Sequence, residues 1–157
     1  MPPVASLYDT GVWVARSLSS HPFHTKTRSI FEQADSGRPA AFCRATQTSF
    51  LRLLHTPAIC SAYGCSPITN REAWATYEEL LALPQVVWLA EPAGVEGEWT
   101  QCAAVGSTSP KVWMDAYLAA FALTDILNFV SLDKDFIRLQ RHGLQLELLS
   151  KGTECPE

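Results

Sequence analysis

Short apolar runs alternate along the chain with longer segments in which apolar residues have helical spacing. The apolar runs are bounded by polar or turn-forming residues and are too short for helices, so they predict buried strands. These strands are expected at 4–8, 40–43, 86–89, 129–132 and 144–149. Apolar positions that recur every three or four residues predict helices. These helices are expected at 23–34, 46–54, 70–83, 99–105 and 112–123.

Capping residues and helix breakers indicate where these elements begin and end. Thr46 is a candidate N-cap of the second helix, and Thr69 or Asn70 of the third, which Pro84 ends. Because strands alternate with helices, the sequence favours an α/β sandwich around a mostly parallel central sheet. No internal repeat or linker interrupts it, so we expect one domain over 1–150 and a polar tail over 151–157.

The composition indicates a large core. Of 157 residues, 47% are hydrophobic and 18% are charged, which argues against disorder. No apolar run reaches the ~20 residues that span a bilayer, and the N-terminus has no leader-like stretch, so we expect neither export nor a membrane partner. The five cysteines are an odd number without zinc-finger spacing, which favours reduced thiols in a cytoplasmic protein.

The net charge argues against recognition of nucleic acid by a broad basic face. Lys and Arg total 12 against 16 Asp and Glu, which gives a formal charge of −4, and the basic residues do not cluster. Any binding of nucleic acid must therefore depend on a local site.

Two aspartates directly follow predicted buried strands. Asp9 comes after Leu7-Tyr8, and Asp133 comes after the apolar segment 130–132. In open α/β sheets ligands bind at the carboxyl ends of the strands, because loops leave the sheet there and helix N-termini point towards it. If the two strands are neighbours, the carboxylates converge. Each aspartate alone is also a common turn or capping residue, and that interpretation stays open.

A third acid, Asp115, lies in the strongly apolar segment 112–123. It shares a helical face with Ala119 and Ala122, and a charge in such surroundings needs a partner. Alternatively, Asp115 is the N-cap of a helix that starts at Ala116. Three converging carboxylates repel one another unless a hard divalent cation joins them, and oxygen ligands favour Mg²⁺ or Mn²⁺ over zinc. Such a site activates water for in-line attack on a phosphodiester.

Four segments, in order, resemble the motifs of PIN-domain ribonucleases, in particular VapC-type toxins of VapBC toxin–antitoxin systems. Residues 7–13 (Leu-Tyr-Asp-Thr-Gly-Val-Trp) are similar to the opening Asp-Thr-Asn motif, and residues 46–57 to the second helix with its Phe-Leu-Arg core. Residues 115–122 look like the third motif almost residue for residue, and residues 130–136 resemble the fourth. The resemblance covers roughly residues 4–149.

The resemblance implies a PIN-like three-layer α/β/α sandwich with a mostly parallel central sheet. It also implies a metal-dependent endoribonuclease, the toxin of a type II pair. It further implies Mg²⁺ or Mn²⁺ as cofactor, an RNA substrate, a homodimer and inhibition by a small cognate antitoxin. Carried onto this sequence, it makes Asp9, Asp115 and Asp133 the catalytic metal ligands, with Gln47 assisting. Asp135 is either an auxiliary ligand or a solvated loop residue.

Two positions depart from the family pattern. Gln47 stands where the family often has a glutamate, so one negative charge is missing and we expect weaker metal binding or a single ion. Gly11 stands where an asparagine often braces the first aspartate, so we expect Asp9 to be less firmly oriented.

Three functions compete. The first is hydrolysis of RNA by a metal-activated water. The second is a PIN-like binding or regulatory module with weakened catalysis, which Gln47 and Gly11 favour. The third is a receiver-like phosphoacceptor domain, which is disfavoured because only Asp9 precedes the first helix and the segment 144–149 has no lysine.

Other polar and aromatic residues leave their roles open. Arg52 either reaches phosphate or the acidic site, or is structural, and Lys111 either contacts RNA or is simply solvated. The tryptophans lie in apolar patterns, so for most of them a place in the core or in a dimer contact is expected rather than base stacking. They are Trp13, Trp74, Trp88, Trp99 and Trp113.

Overall fold

A five-stranded, all-parallel sheet forms the centre of the computed structural model, which describes residues 5–149. The strands are β1 (Ser6–Tyr8), β2 (Ala40–Phe42), β3 (Val86–Trp88), β4 (Asn128–Ser131) and β5 (Gln145–Leu148). Each predicted strand is confirmed, although Val4 at the start of the first lies outside the described residues. The predicted tail 151–157, with Cys155, lies outside them too.

Seven α-helices and one 3₁₀ helix connect the strands in the described range. They are α1 (Thr10–Ser17), α2 (His24–Gln33), α3 (Arg44–Leu53), α4 (Pro57–Tyr63), α5 (Asn70–Leu81), α6 (Val95–Ala103), α7 (Val112–Asp125) and the 3₁₀ helix (Lys134–His142). None of these helices has the length and apolarity needed to cross a bilayer.

The sheet is buried between two apolar clusters, one on each face. Side chains of successive strand residues point to opposite faces, so Leu7 packs with residues of α6, α7 and the 3₁₀ helix. Its neighbour Tyr8 packs on the other face with residues of α1, α2, α3 and α5. This arrangement confirms the predicted three-layer α/β/α sandwich.

The strand order β3-β2-β1-β4-β5 makes β1 the point where the direction of winding reverses. From β1 the chain builds β2 and β3 on one side, and then returns to place β4 and β5 on the other. Leu7 pairs with Ala41 of β2, and Tyr8 pairs with Val130 of β4. Crevices at such reversals are the ligand sites of open α/β sheets. The order also differs from the 2-1-3-4-5 order of receiver-like folds, which excludes that alternative.

Two predicted helix starts were wrong, each for a local reason. Helix α3 begins at Arg44 with Cys43 as its N-cap, and Thr46 lies inside the first turn, where its hydroxyl accepts a hydrogen bond from the Cys43 amide at 3.0 Å. Helix α6 begins at Val95, because Gly94 adopts a left-handed conformation (φ 83°) that turns the chain directly into the helix.

Two further expectations concern the cysteines and Trp74. The four described cysteines, at 43, 60, 65 and 102, form no disulfide, in agreement with the expected reduced thiols. Trp74 is 45% exposed, so it lies outside the core, and the alternative of a dimer contact stays a prediction.

A strained helix end yields a test of this fold. Ile126 ends α7 in the left-handed region (φ 54°) while its side chain is 63% exposed. A left-handed conformation costs a β-branched residue about 1–2 kcal/mol, and glycine avoids that strain. We expect Ile126→Gly to raise the free energy of unfolding by about 1 kcal/mol, measured by urea denaturation.

The converse substitution serves as the control. Gly143 ends the 3₁₀ helix at φ 96°, where an added Cβ would meet Leu123 at an ordinary contact distance of 3.7 Å. Gly143→Ala should therefore lower the free energy of unfolding by about 1 kcal/mol through backbone strain alone. A loss of stability in Ile126→Gly would mean that packing of the isoleucine side chain outweighs its strain.

Candidate metal centre

Asp9 is held at the carboxyl end of β1 by three separate hydrogen bonds. Its backbone amide donates to the Val130 carbonyl at 2.9 Å and thereby extends the pairing of β1 with β4. Its Oδ1 accepts from the Thr10 amide at 2.8 Å, which makes it the N-cap of α1. Its Oδ2 accepts from the Ser131 hydroxyl at 2.7 Å. These three bonds orient Asp9 without help from Gly11, which has no side chain to brace it.

Asp133 occupies the equivalent place after β4. It is the N-cap of the 3₁₀ helix, and its Oδ1 accepts from the Asp135 amide at 2.9 Å. Its own amide donates to the Ser131 hydroxyl oxygen at 3.0 Å. Because Ser131 also donates to Asp9, one buried hydroxyl connects the two aspartates. The capping interpretation of both residues is thus confirmed, and the Ser131 hydroxyl lies between them.

Asp115 reaches the same place from α7. The helix begins at Val112, so Asp115 lies in its first turn and is not the N-cap of a helix starting at Ala116. No N–H or O–H group in the range 5–149 donates to its carboxylate. Of Asp9, Asp115 and Asp133, Asp115 is therefore the one whose carboxylate accepts no hydrogen bond in this range.

Three carboxylates meet within the range of a single cation. Asp115, Asp133 and Asp135 each offer an oxygen, and these oxygens lie within 4.8 Å of one another. Asp135 joins the group because the tight 3₁₀ turn carries it back beside Asp133, which favours its interpretation as an auxiliary ligand. Asp9 adjoins the group through Ser131.

The pKa values of Asp115 and Asp9 show that bringing these carboxylates together is unfavourable. The pKa of Asp115 is raised to about 6, first by burial and then by the negative charges of Asp133 and Asp9. Arg138, on the 3₁₀ helix, opposes that rise. Burial also raises the pKa of Asp9, while its hydrogen bonds from Ser131 and Thr10 act in the opposite direction. The positive charge of Arg138 therefore offsets the negative charge of the cluster only in part.

The donor set fits a hard divalent cation. Its ligand atoms are all carboxylate oxygens, which suit Mg²⁺ and Mn²⁺, whereas zinc prefers histidine or cysteine. Repulsion among the acids and the raised pKa of Asp115 show that a cation would relieve an existing strain.

Gln47 is nearly buried, 5% exposed, on the first turns of α3. Its Oε1 accepts a hydrogen bond from Arg44 at 2.7 Å. A guanidinium only donates, so the orientation of the Gln47 amide is fixed and its Nε2 is left as a donor. The amide oxygen is thus already engaged, and a role as a metal ligand through that oxygen is disfavoured.

Two residues of this centre escaped the sequence analysis. Ser131 is fully buried, and a polar residue inside an apolar run just before an aspartate was a readable signal. Arg138 influences Asp115 from the 3₁₀ helix, and no signal marked it, because its position depends on that irregular turn.

Comparison with known proteins places the chain in a family. No family model matches it. Ribonuclease VapC41 of Mycobacterium tuberculosis is 46% identical over 146 residues, which cover 92% of this chain and 99% of that protein. The chain belongs to the VapC family of PIN-domain ribonucleases. The predicted resemblance is confirmed.

Solved structures share the fold of this VapC-family chain at low sequence identity. VapBC2 of Rickettsia felis, solved with a promoter DNA fragment, superposes with a TM-score of 0.62 and 12% identity over 92% of this chain and 98% of that one. M. tuberculosis VapC20, a sarcin-ricin-loop-cleaving toxin, gives 0.61 and 16% over 85% and 94%. VapBC-1 of nontypeable Haemophilus influenzae gives 0.62 and 13% over 92% and 97%.

The raised pKa of Asp115 yields a stability test on this VapC-family chain without metal. Its pKa is higher in the folded state (about 6) than its ordinary 3.8, so the folded state binds more protons between these values. Metal-free protein should therefore gain stability from this group as the pH falls from 7 to 5. Asp115→Asn should raise the Tm at pH 7.5 by about 2–4 °C, equivalent to about 1 kcal/mol after allowance for solvent screening.

Thermal melts in EDTA at pH 7.5 and pH 5.5 provide the measurement. The gain in Asp115→Asn should shrink at the lower pH, where the wild-type carboxyl is protonated. Asp125→Asn, an exposed acid at the end of the same helix, is the matched control and should change neither melt. An equal gain at both pH values would contradict the electrostatic cause.

Proposed function

We propose that this chain is the toxin of a type II toxin–antitoxin pair, an endoribonuclease that hydrolyses RNA phosphodiester bonds with Mg²⁺ or Mn²⁺. Asp9, Asp115 and Asp133 are its proposed metal ligands, and Asp135 is an auxiliary ligand. The supporting observation is the convergence of Asp115, Asp133 and Asp135, with Asp9 linked to Asp133 through Ser131, in a chain 46% identical to a named ribonuclease.

When bound, the cation would supply a water of lowered pKa and would offset the negative charge that builds up on the phosphorus oxygens. The chain's own residues hold and orient the site. Ser131 fixes Asp9 against Asp133, and the caps of α1 and the 3₁₀ helix keep both carboxylates from turning away. Asp115 has no such anchor and must be ionised to act as a ligand, so activity requires a pH at which it has lost its proton.

Gln47 assists as a hydrogen-bond donor in this proposal. Its Oε1 is engaged by Arg44, and its Nε2 remains available to a phosphate oxygen or to the attacking water. This role differs from that of a carboxylate ligand and is consistent with a site that depends on one ion.

The partners follow from the family and its structures. We propose a small cognate antitoxin as inhibitor, because structures of VapBC pairs share this fold. A homodimer and action in the cytoplasm complete the proposal, the latter because reduced thiols and an RNA substrate suit that compartment.

Cleavage of RNA with defined metals is the decisive test. We expect hydrolysis of a mixed RNA substrate with Mg²⁺ or Mn²⁺ and none with EDTA, followed by gel electrophoresis. Asp9→Asn or Asp133→Asn should reduce the rate by at least about a hundredfold, because each removes a ligand charge. Asp125→Asn should cleave like the wild type.

The same assay distinguishes the ribonuclease from a second candidate function. A PIN-like module with weakened catalysis is favoured by one observation, the neutral Gln47 in place of an acid, with its oxygen engaged by Arg44. Undetectable cleavage in the wild type, combined with tight binding of a partner protein, would favour that module. Metal-dependent cleavage that is lost in Asp9→Asn rules it out.

Ser131 tests whether the acids act as one site. Ser131→Ala removes the hydroxyl that connects Asp9 with the Asp133 backbone, so both carboxylates should lose orientation. We expect Mn²⁺ affinity, measured by calorimetry, to fall by about 10–100-fold, the usual range for a residue that orients ligands. Ser29→Ala, on the exposed surface of α2, is the control. Wild-type Mn²⁺ affinity in Ser131→Ala would show that the two aspartates do not depend on this link.

A further inference from the structure

A polar pocket of about 480 Å³ lies at the edge of the sheet opposite the candidate metal centre. Helix α1 begins after Asp9 at the carboxyl end of β1, and its eight residues span roughly 12 Å. Arg16 and Ser17, which line the pocket, are therefore at the far end of that helix. Gln85, which also lines it, directly precedes β3 and so stands at the amino ends of the parallel strands.

The lining of this pocket is rich in hydrogen-bond donors. It includes two guanidinium groups, two hydroxyls, an imidazole and one carboxylate, from Arg16, Arg28, Ser17, Ser19, His24 and Glu32. We propose that the pocket binds a phosphate dianion, free or carried by a small molecule, with Arg16 and Arg28 as its main ligands.

Arg16 carries a positive charge to which the chain offers no acceptor. Its guanidinium lies over the Phe31 ring, 4.5 Å from the ring centroid, and its Nε is buried without a hydrogen-bond partner. No residue in the range 5–149 forms an ion pair with it. Burial lowers the pKa of Arg16, and the positive charge of Arg28 lowers it further. A bound anion would supply an acceptor and would offset the repulsion between the two guanidinium groups.

Two further groups of the lining are available to an oxyanion. The Ser17 hydroxyl is buried and has no hydrogen-bond partner within residues 5–149, although most buried hydroxyls have one. The His24 Nδ1 lies 2.9 Å from the Ala15 carbonyl oxygen, which can only accept, so Nδ1 carries the hydrogen and the ring is held against α1. Its Nε2 is then a second donor whenever the imidazole is protonated.

Glu32 is the one acid among the residues that line the pocket. Its Oε1 is paired with the Arg28 Nε at 3.0 Å, and both side chains are mostly exposed to solvent. A guanidinium has five N–H donors, so Arg28 keeps others for an anion while Glu32 holds it in place. Because Arg16 has no such partner, the pocket retains a positive surplus on a chain whose formal net charge is −4.

The number of donors and the size of the pocket favour a phosphate group. A carboxylate offers two oxygens, whereas a phosphate monoester offers three acceptor oxygens and about −1.5 to −2 charge at pH 7. It can therefore accept from both guanidinium groups and a hydroxyl at once. The volume of the pocket is typical of sites for small molecules. An RNA strand cut at the carboxylates would have to reach the opposite edge of the sheet, which argues against the substrate as occupant.

Calorimetric titration of the full chain with adenosine 5′-monophosphate tests the site. EDTA is present throughout, so that no metal ion carries the phosphate to the carboxylates. We expect saturable binding that is at least about tenfold weaker in Arg16→Gln, because one charged donor is lost. Arg71→Gln, which changes an exposed arginine of α5 outside the pocket, is the matched control and should bind like the wild type.

Two further probes identify the group that is recognised. Adenosine has no phosphate and should not bind, whereas inorganic phosphate should compete with adenosine 5′-monophosphate. Equal Kd values for the two phosphates would assign the pocket to free phosphate. Tighter binding of the nucleotide would assign it to a phosphorylated small molecule.

Ser17→Ala separates loss of the site from general damage to the fold. The substitution removes a buried hydroxyl that has no partner, so the Tm without ligand should be unchanged or higher. The rise in Tm that excess phosphate causes in the wild type should nevertheless be smaller in this variant, because a weaker Kd gives less stabilisation by the ligand.

Specific outcomes would overturn the phosphate site. Wild-type affinity for adenosine 5′-monophosphate in both Arg16→Gln and Ser17→Ala would do so, and so would absence of binding to the wild type. If neither phosphate binds but Arg16→Gln weakens binding of a short unstructured RNA in EDTA, the pocket contacts nucleic acid instead. Failure of the wild type to cleave RNA would concern the proposed function alone, since no part of the phosphate site depends on that activity.

Discussion

The hydrogen bonding of β1 to β4 places two like charges side by side. Tyr8 pairs with Val130, and the ladder continues into the residue that follows, since the Asp9 amide donates to the Val130 carbonyl. The backbone thus fixes where Asp9 and Asp133 emerge, before their side chains interact. Because the sheet is buried on both faces, neither strand can slip to relieve the repulsion without exposing its apolar residues. The acidic centre is therefore a consequence of strand order.

The fold compensates these charges unevenly. Asp9 and Asp133 each cap a helix and share the Ser131 hydroxyl, so backbone amides and a buried O–H absorb part of their charge. Asp115 has no donor, and burial together with its acidic neighbours raises its pKa to about 6. The least compensated ligand gains most from a cation. Function and stability thus oppose each other at Asp115, as is common where an active site is preorganised.

The parts of this centre that could be predicted depend on local pattern. An apolar run followed by Asp9 or Asp133 marks a strand end, whatever surrounds it, and Asp115 stands out on an apolar helix. Asp135 depends on a 3₁₀ turn without regular periodicity, so the sequence left its role open between auxiliary ligand and loop residue. Trp113 is 58% exposed, and this exposure could not be predicted either. Helix α7 is apolar on nearly every side, so its sequence does not indicate which side the sheet covers.

Gln47 stands where the family often has a glutamate, and it is hydrogen-bonded to Arg44. A glutamate at this position would form an ion pair with Arg44 and neutralise it. The glutamine places Arg44 through the same 2.7 Å contact but leaves the charge of the guanidinium uncompensated. The substitution therefore removes one negative charge and preserves the positive charge of Arg44. Both changes lower the repulsion that an incoming polyanion meets. A chain with net charge −4 thereby gains local attraction for phosphate without a broad basic face.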